Sequence, residues 1–410
     1  MNFEIFIAKK IIRNKRKSFS RFIVGIATIA ISLSMCVMII AGSMVTGFQK
    51  EISKKIFGFW GHIQIKSSVN PNSYDEVPMS IHQTFYPALD TMKGVDHIQV
   101  SGIKPGILKT KEEVEGIIFK GIGKDFRRSF LDDYLDSGHL FYPNDSARGN
   151  DSLVISKTTA DKLNIKVGDK LTAGIIRDNI YKRKLMTVCG IYNTGLAEYD
   201  SKFALIDIRK VQYFNNWSKD SVGGFEVFVN DISQMDAVEQ KINNQYYSID
   251  YAAKSIKHNP SYTNIFEWLD LQTINEQVII ILMIVVAIIN MITALLILIL
   301  ERTNMIGMLK AMGSSNNSVQ KIFLFNAAYI IGRGLLFGNI LGIGLCLMQK
   351  QFGIIHLPEE SYYLKVAPIN FDFIYILLLN TGTLILCTLV MIIPTILVSR
   401  ISPVRAIRFS

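Results

Sequence analysis

Hydrophobic residues are concentrated in four long stretches of the chain that carry almost no charge. Three of them, 22–45, 278–300 and 373–399, contain no charged residue, and the fourth, 322–348, contains only Arg333. A helix rises about 1.5 Å per residue, so about 20 apolar residues cross a hydrocarbon core of about 30 Å. A helix buried in a soluble core is typically shorter, with about 10–14 apolar residues. The pattern therefore predicts four transmembrane helices.

The segment between the first two stretches, 46–277, mixes strand-like and helix-like patterns. The predicted strands are 152–156, 185–191, 203–206 and 225–229, with another beginning at Lys170, and the predicted helices are 157–163 and 235–246. Alternating strands and helices are typical of βαβ units, and the segment is long enough for two subdomains. The predicted fold class is an α-helical membrane protein with four transmembrane helices plus a large mixed α/β extracytoplasmic domain between the first and second helices.

The two helices that border this segment are predicted to extend into it. The first continues through Thr46–Phe57, and the second begins near Asn264 in a mixed apolar and charged stretch that ends at Gln277. We therefore expect two unbroken stalk helices that join the domain to the bilayer. Such helices transmit a displacement or serve only as spacers, and the pattern does not distinguish the two.

Charge divides the 410-residue chain in the same way. The chain contains 44 Lys and Arg residues and 34 Asp and Glu residues. Of these, 28 basic and 29 acidic residues lie within 46–277, which gives that segment a net charge of −1. The other 16 basic and 5 acidic residues give the rest of the chain a net charge of +11. The basic character belongs to the membrane part, which argues against a nucleic-acid-binding domain. Four cysteines are too few for a disulfide-stapled scaffold.

Positive charges also predict the orientation of the spans. Lysine and arginine are concentrated in the basic N-terminus 1–21, in the loop 301–321 and in the tail 400–410, which the positive-inside rule places in the cytoplasm. The domain 46–277 and the short loop 349–372 then lie on the extracytoplasmic side of the membrane. The stretch 22–45 is too long for a signal peptide and is predicted to be a signal anchor.

The sequence contains no motif of a catalytic, cofactor-binding or metal site. G-x-x-x-x-G-K-[ST] is absent, and the nearest glycine cluster, 116–124, is predicted to be a strand and turn. The six histidines are scattered without H-E-x-x-H, and neither C-x-x-C nor G-x-S-x-G occurs. We therefore expect no enzymatic activity in this chain.

The loop after the second span predicts a short amphipathic helix. Met305, Met308, Leu309 and Met312 recur at i, i+3, i+4 and i+7 and define one apolar, sulfur-rich face, and Gly313 suits the end of the helix. Methionine side chains adapt to the groove of a partner. Periodicity alone favours a helix that rests in the lipid headgroups over a helix that binds a partner.

This loop resembles the coupling helix of the FtsX-like permeases of ABC transporters, with the pattern E-R-x-x-x-I-G-x-L-[KR]-A-x-G. The matching residues are Glu301, Arg302, Ile306, Gly307, Leu309, Lys310, Ala311 and Gly313. The four-span architecture is similar to that of MacB-type transporters. Residues 154–169 resemble the MacB periplasmic core domain, and 401–408 resemble the P-x-x-A-L-R ending of the group.

The stretch after the first span resembles one branch of this group, the LolC/LolE lipoprotein-releasing permeases. Their pattern there is G-F-x-x-E-[IL]…G-F-x-x-H-[IV]. The matching stalk residues are Gly47, Phe48, Glu51, Gly58, Phe59 and His62. LolC-like and LolE-like roles both stay open.

The resemblance implies a permease subunit that works with a separate ABC ATPase dimer, which binds ATP and Mg. Closure of that dimer would move the coupling helix, and the stalks would pass the motion outward. Lipoproteins would enter from the outer leaflet between the first and second spans of two permease subunits, identical or homologous, and leave to a periplasmic carrier. The alternatives are a MacB-like efflux or mechanotransmission permease for another cargo and an FtsX-like regulator of a cell-wall hydrolase.

Three further features of the spans concern helix packing. Gly334, Gly338 and Gly342 recur every four residues, a spacing that lets a second helix of this chain or of a partner approach closely. Arg333 is expected to have a structural role and to snorkel towards the interface near Glu301. Asn290 is a candidate for a hydrogen bond to another helix.

Overall fold

The computed structural model describes residues 4, 6, 7, 10, 19–143, 151–177, 180–396 and 398. They form two compact units. The sheet unit comprises Lys50–Trp268 and Leu357–Lys365, and the helical unit comprises the described parts of Met1–Gln49, Leu269–His356 and Val366–Ser410. Most of the basic N-terminus 1–21 and the whole tail 400–410, with its predicted family ending, lie outside the described residues.

Four helices of the described part of the chain are long and apolar enough to cross a membrane, which confirms the four predicted spans. The helices are α1 (Phe19–Trp60), α2 (Ser129–Asp133), α3 (Lys157–Leu163), α4 (Ala197–Asp200), α5 (Ile208–Asn215), α6 (Met235–Gln245), α7 (Pro260–Glu301), α8 (Thr303–Ala311), α9 (Asn316–Phe352), α10 (Glu359–Tyr362), α11 (Phe373–Val390) and α12 (Ile392–Thr395). The long apolar helices are α1, α7, α9 and α11. Since α1 and α7 are continuous well beyond their apolar stretches, the predicted helix extensions are also confirmed.

The core of the helical unit forms where these four helices pack together. Each contributes fully buried apolar side chains, among them Ile31, Met35 and Ile39 from α1, Met291 and Leu295 from α7, Phe323 and Ile331 from α9, and Cys387 from α11. Many other apolar side chains of the same helices are exposed, such as Ile281 and Ile340. This is typical of helices whose outer faces contact lipid.

The sheet unit is built on one ten-stranded sheet and a two-stranded ribbon. The strands are β1 (Ile63–Ser67), β2 (Met79–Ser80), β3 (Val95–Lys109), β4 (Val114–Ile122), β5 (Leu135–Gly138), β6 (Ser152–Ser156), β7 (Lys170–Arg177), β8 (Ile180–Tyr192), β9 (Phe203–Asp207), β10 (Ser221–Val222), β11 (Gly224–Val229) and β12 (Tyr251–Ser255). The main sheet has the order β12-β1-β11-β3-β4-β9-β6-β8-β5, with β7 paired to β3 and β8. The ten strands form one continuous sheet, and β2 and β10 form the separate ribbon.

All predicted strands and both predicted helices of this unit are confirmed, and α3 has the predicted bounds. Its ends follow from the local sequence, because Ser156 caps the first turn by accepting a hydrogen bond from the Thr159 amide, and Asn164 adopts a left-handed conformation with φ of 51° at the other end. The expectation of βαβ units is only partly right. Among the described strands β4–β9 and β6–β8 are parallel, and the other pairs are antiparallel.

Candidate functional site

The short helix α8 lies between the long helices α7 and α9, where the sequence predicts it. Gly313, with φ of 92°, follows its last turn, and the Gly313 and Ser314 amides donate hydrogen bonds of 3.0 Å to the Lys310 and Leu309 carbonyl groups. Ser315 then caps α9 by accepting a bond from the Ser318 amide at 3.2 Å. The predicted helix and its glycine end are therefore confirmed.

One face of α8 is buried and the opposite face is exposed. Ile306, Gly307 and Leu309 are buried, with Ile306 in the main helical core and Leu309 against Ile322 of α9. The exposed face contains Asn304, Met308, Ala311 and Met312. Met308 is 54% exposed and Met312 75% exposed, so the free face of the helix is methionine-rich.

The expectation that Met305, Met308, Leu309 and Met312 share one presented face is wrong for two of them. Leu309 is buried, and the half-buried Met305 packs beside it. Residues at i, i+3, i+4 and i+7 span an arc of about 100° on a helix. Packing against α9 buries one side of this arc and leaves the other side exposed. Periodicity therefore predicts which residues share the arc, but not which of them are buried.

Four of the eight residues that match the family pattern fix α8 in place. Ile306, Gly307 and Leu309 face inward, and the Lys310 ammonium donates a hydrogen bond of 2.7 Å to the Val398 carbonyl group. Glu301 is exposed and Arg302 half-buried at the junction with α7, and Ala311 and Gly313 are exposed. The exposed side chains of Asn304, Met308 and Met312 stand at the unspecified positions of the pattern. The helix is therefore docked by Ile306, Gly307, Leu309 and Lys310, and its exposed face combines Ala311 with the unspecified positions.

The three stripe glycines of α9 contact α1 of the same chain. A Cβ atom at Gly334 would lie 2.6 Å from Ile31 Cγ2, and one at Gly338 would lie 2.6 Å from Met35 Cβ and 2.7 Å from the Ser32 carbonyl oxygen. At Gly342 the nearest atom would be Cys36 Cα, at 3.2 Å. The sequence analysis left open whether the glycines contact a span of this chain or a span of a partner. The structure shows a contact with a span of this chain, α1.

Replacing Gly338 with valine is expected to destabilise the helical unit by about 1–3 kcal/mol, because the branched side chain overlaps backbone and side-chain atoms of α1. The matched control is Gly344→Val on the same helix, since a Cβ atom there meets nothing within 4 Å. The buried thiols of Cys36, Cys346 and Cys387 provide the measurement. A thiol-reactive fluorogenic dye, in a Cys189→Ala background, should react at a lower temperature in the Gly338 variant. Equal reaction temperatures in the two variants would contradict the packing role.

Two polar residues of the spans contact their own helices. The guanidinium carbon of Arg333, which is exposed, lies 5.7 Å and 5.9 Å from the ring centroids of Tyr329 and Phe337. Its expected position near Glu301 stays a prediction. The Asn290 amide donates to the Val286 carbonyl group at 3.0 Å.

An interhelical pair that the sequence analysis missed joins α9 to α11. The Asn339 and Asn380 side-chain amides exchange hydrogen bonds of 2.6 and 3.0 Å. Isolated asparagines within apolar stretches are the available sequence signal, but the signal does not identify the partner.

The stalk residues fall into two groups. Gly47 belongs to the helical unit, where a Cβ atom would lie 2.5 Å from the Pro368 carbonyl oxygen, and Phe48 beside it is buried. Gly58 belongs to the sheet unit, where a Cβ atom would overlap the Phe130 ring. Glu51, between them, is half-buried. Both glycines therefore allow a second segment to approach α1 closely.

Phe59 and His62 anchor the end of α1 in the sheet unit. The Phe59 ring is buried among aromatic rings, with centroids 5.5 Å from Tyr199 and 5.6 Å from Phe203. The His62 ring stacks on Phe57 at 4.5 Å, and its Nδ1 accepts a hydrogen bond from the Val229 amide at 3.3 Å. An imidazole that accepts this bond must be unprotonated at Nδ1. These contacts give the two residues structural roles.

His62 predicts a pH dependence of the stability of the sheet unit. Burial lowers the pKa of His62 from 6.5 to about 4. The pKa of His62 is lower in the folded state than in the unfolded state, so the folded state favours neutral His62. The free energy of unfolding of the sheet unit therefore has its full value above pH 6.5 and decreases as the pH falls towards 4. Over this window the unsubstituted protein should lose up to about 3 kcal/mol relative to His62→Gln. Unfolding followed at several pH values measures this difference. His82→Gln, at an exposed histidine, is the control, and equal pH slopes for all three proteins would rule out the effect.

A buried ionic cluster lies where α1 ends in the sheet unit, and the sequence analysis did not identify it. The Lys120 ammonium lies 2.5 Å from Glu226 Oε1, and the two side chains are 1% and 2% exposed. Lys120 also donates to the Phe59 carbonyl group and lies 4.2 Å from the Trp60 ring centroid. Gln99 donates to the other Glu226 oxygen at 2.8 Å. In the sequence, Lys120 and Glu226 are visible only as single charged residues within apolar strands. The order of the strands in the sheet brings them together.

These observations define a class of protein: a membrane protein with four long apolar helices, a large α/β domain inserted between the first two, and a short docked helix between the second and third. Residues 24–245 match the model of the MacB-like periplasmic core domain, and residues 277–403 match that of the FtsX-like permease C-terminal domain. The first match alone covers more than half of the chain. The chain therefore belongs to the FtsX-like permeases with a MacB-like periplasmic core domain, which confirms the family and the fold class predicted from its sequence.

Similar proteins include two relatives matched over nearly the whole chain. The lipoprotein-releasing system transmembrane protein LolC of Neisseria meningitidis serogroup B is 23% identical over 96% of both chains. The protein LolE of the same system from Haemophilus influenzae is 22% identical over 99% of both chains. Among solved structures, the periplasmic region of MacB from Actinobacillus actinomycetemcomitans is 12% identical, covers 50% of this chain and 92% of that chain, and has a TM-score of 0.35.

Proposed function

We propose that this chain is a permease subunit of an ABC-type lipoprotein-releasing complex. The observation that carries the proposal is the similarity to LolC and LolE relatives across 96% or more of both chains. The similarity extends over the spans, the sheet unit and the coupling loop together.

The exposed face of α8 is the proposed contact with a separate ABC ATPase dimer, which binds ATP and Mg. Met308 and Met312 offer flexible apolar side chains to a groove of that partner. Because Ile306 and Leu309 are packed against the spans, a displacement of α8 would move α7 and α9 with it. The continuous helices α1 and α7 would then pass the movement outward.

In this proposal both termini are cytoplasmic and the sheet unit is periplasmic, across the bacterial inner membrane. Lipoproteins would be extracted from the outer leaflet of that membrane, between the first and second spans of this chain and of a second permease subunit. A periplasmic carrier would receive them for sorting to the outer membrane. The residues of this chain would bear force and bind lipid, and no bond chemistry is assigned to them.

Depletion of the protein, followed by separation of the inner and outer membranes, tests the proposal. Labelled outer-membrane lipoproteins should accumulate in the inner membrane of depleted cells, and a plasmid copy of the gene should restore their sorting. Normal sorting in depleted cells would reject an essential, non-redundant releasing function. Loss of export of another cargo, or a defect in cell-wall hydrolysis alone, would identify the MacB-like or FtsX-like alternative instead.

A further inference from the structure

The chain switches direction across the sheet after two neighbouring parallel strands in the sheet unit. Strands β4 and β9 are parallel neighbours. Their pairing begins with Ile118 opposite Phe203 and ends with Ile122 opposite Asp207. After β4 the chain continues to β5, at one edge of the sheet, whereas after β9 it continues through α5 to β11, on the other side of β4. The carboxyl ends of β4 and β9 therefore lie side by side, and the segments that leave them, 123–125 and α5, line a common space.

A cavity of about 550 Å³ lies at this point. It is lined by Gly123, Lys124 and Asp125, which directly follow β4, and by residues of α5, which follows β9. The rings of Tyr86, Tyr213 and Trp217 and several aliphatic side chains complete the wall. Its volume and its mixture of apolar and polar groups are typical of sites for small molecules. We call it the switch cavity.

The charges around the switch cavity are mainly positive. Lys124 and Lys219 are exposed, and neither ammonium has an ion-pair partner among the residues that the structure describes. Arg209 is bound to Asp207 through Nε and Nη2, at 3.0 and 2.7 Å. Its charge is thus balanced, and the two lysines are the free cations of the site.

The one carboxyl group in the lining is turned into the protein. Asp125 Oδ2 accepts hydrogen bonds from the Val100 amide at 2.7 Å and from the Tyr86 hydroxyl at 3.1 Å, and Oδ1 is buried. Burial raises the pKa of Asp125. The carboxyl group of Asp125 is therefore held by the Val100 amide and the Tyr86 hydroxyl, whereas Lys124 and Lys219 have no carboxylate partner among the described residues.

We propose that the switch cavity binds a small organic anion. An apolar or aromatic body would lie against Tyr86 and Trp217, and a carboxylate or phosphate group would contact Lys124 and Lys219. Charge-assisted bonds of this kind are about twice as strong as neutral ones and fix the orientation of a ligand. The proposal rests on the sheet unit alone and is independent of the proposed transport function.

Four probes with one aromatic body and different charge test the proposal: benzoate, phenyl phosphate, benzyl alcohol and benzylamine. Saturation-transfer NMR on the full chain in lipid nanodiscs, with empty nanodiscs as blank, gives their affinities. We expect saturable binding of the two anions, affinity lower by about tenfold or more for the alcohol, and no binding of the amine. Either anion can support the proposal, and their ratio shows whether carboxylate or phosphate is preferred.

Variants then locate the site. Lys124→Glu and Lys219→Glu should each weaken anion binding by about tenfold, whereas Lys241→Glu, at an exposed lysine of α6, should leave it unchanged. An unchanged thermal midpoint shows that each variant is folded. The proposal fails if the anions do not bind saturably, if all four probes bind alike, or if the two cavity variants bind as well as the control.

Discussion

Replacing Lys120 with methionine is expected to lower the stability of the sheet unit by about 3–5 kcal/mol, because Glu226 would be left in the core without its counter-ion. Both side chains are almost completely buried. The Phe59 carbonyl group would also lose its donor at the end of α1. For a unit of this size, such a loss corresponds to a fall of roughly 10 °C in the unfolding midpoint.

The intrinsic fluorescence of the full chain measures this effect directly. All three tryptophans, Trp60, Trp217 and Trp268, belong to the sheet unit, so their signal follows this unit and not the spans. Trp60 lies directly against the Lys120 ammonium. The unfolding midpoint can thus be compared among variants in one detergent and at one protein concentration.

Two matched variants separate the buried pair from a general loss of a lysine. Lys162→Met removes an ion pair with Glu115 whose side chains are 51% and 25% exposed, and it should cost less than about 1 kcal/mol. Lys120→Met combined with Glu226→Met should recover part of the loss, because no unpaired charge remains. If the Lys120 and Lys162 variants unfold at the same temperature, the buried pair has no special role.

Replacing both Met308 and Met312 with aspartate is expected to abolish the productive interaction with the ATPase while the chain stays folded. Each methionine that is buried in an interface contributes about 1.5–3 kcal/mol, so loss of both should weaken binding by at least about a hundredfold. Since both are more than half exposed in this chain, the stability of the helical unit should change by less than about 1 kcal/mol. Co-purification with the ATPase measures the loss of binding, and lipoprotein release from proteoliposomes measures the loss of function.

Two control variants show whether the effect comes from loss of the exposed apolar face or from loss of folding. Met308→Leu with Met312→Leu keeps the apolar face and should retain binding and release. Leu309→Asp places a charge in the packed face of α8 and should destabilise the helical unit itself. If the double aspartate variant binds the ATPase and releases lipoproteins normally, the exposed face of α8 is not the coupling contact, whatever the cargo is.

The candidate site was predictable from the sequence in its location but not in its orientation. The bounds of α8 and the left-handed Gly313 follow from local periodicity and from a glycine where φ is positive. Which of Met305, Met308, Leu309 and Met312 are free depends on where α9 packs. Likewise, the spacing of Gly334, Gly338 and Gly342 predicts a close helix contact, but only the assembled helices show that the contact is α1.

The sheet shows the same division between local and distant information. Ser152–Ser156 and Lys157–Leu163 were predictable because their alternation, caps and turn residues act over a few positions. The parallel pairing of β4 with β9 was not, because the two strands are about eighty residues apart and any apolar strand could occupy that place. The switch cavity depends on this pairing and therefore had no signal in the sequence.

The sequence by itself determined the four membrane spans, the insertion of a mixed α/β domain after the first, the short helix α8 and the family. These properties depend on the lengths of apolar runs and on residue patterns that are contiguous along the chain. Only the tertiary structure decided which face of α8 is free, which helix the glycines meet, which carboxylate neutralises Lys120 and where a cavity opens. Lys120 and Glu226 are 106 positions apart. Their interaction exists because folding removes water from both and leaves each as the nearest group able to satisfy the other's charge.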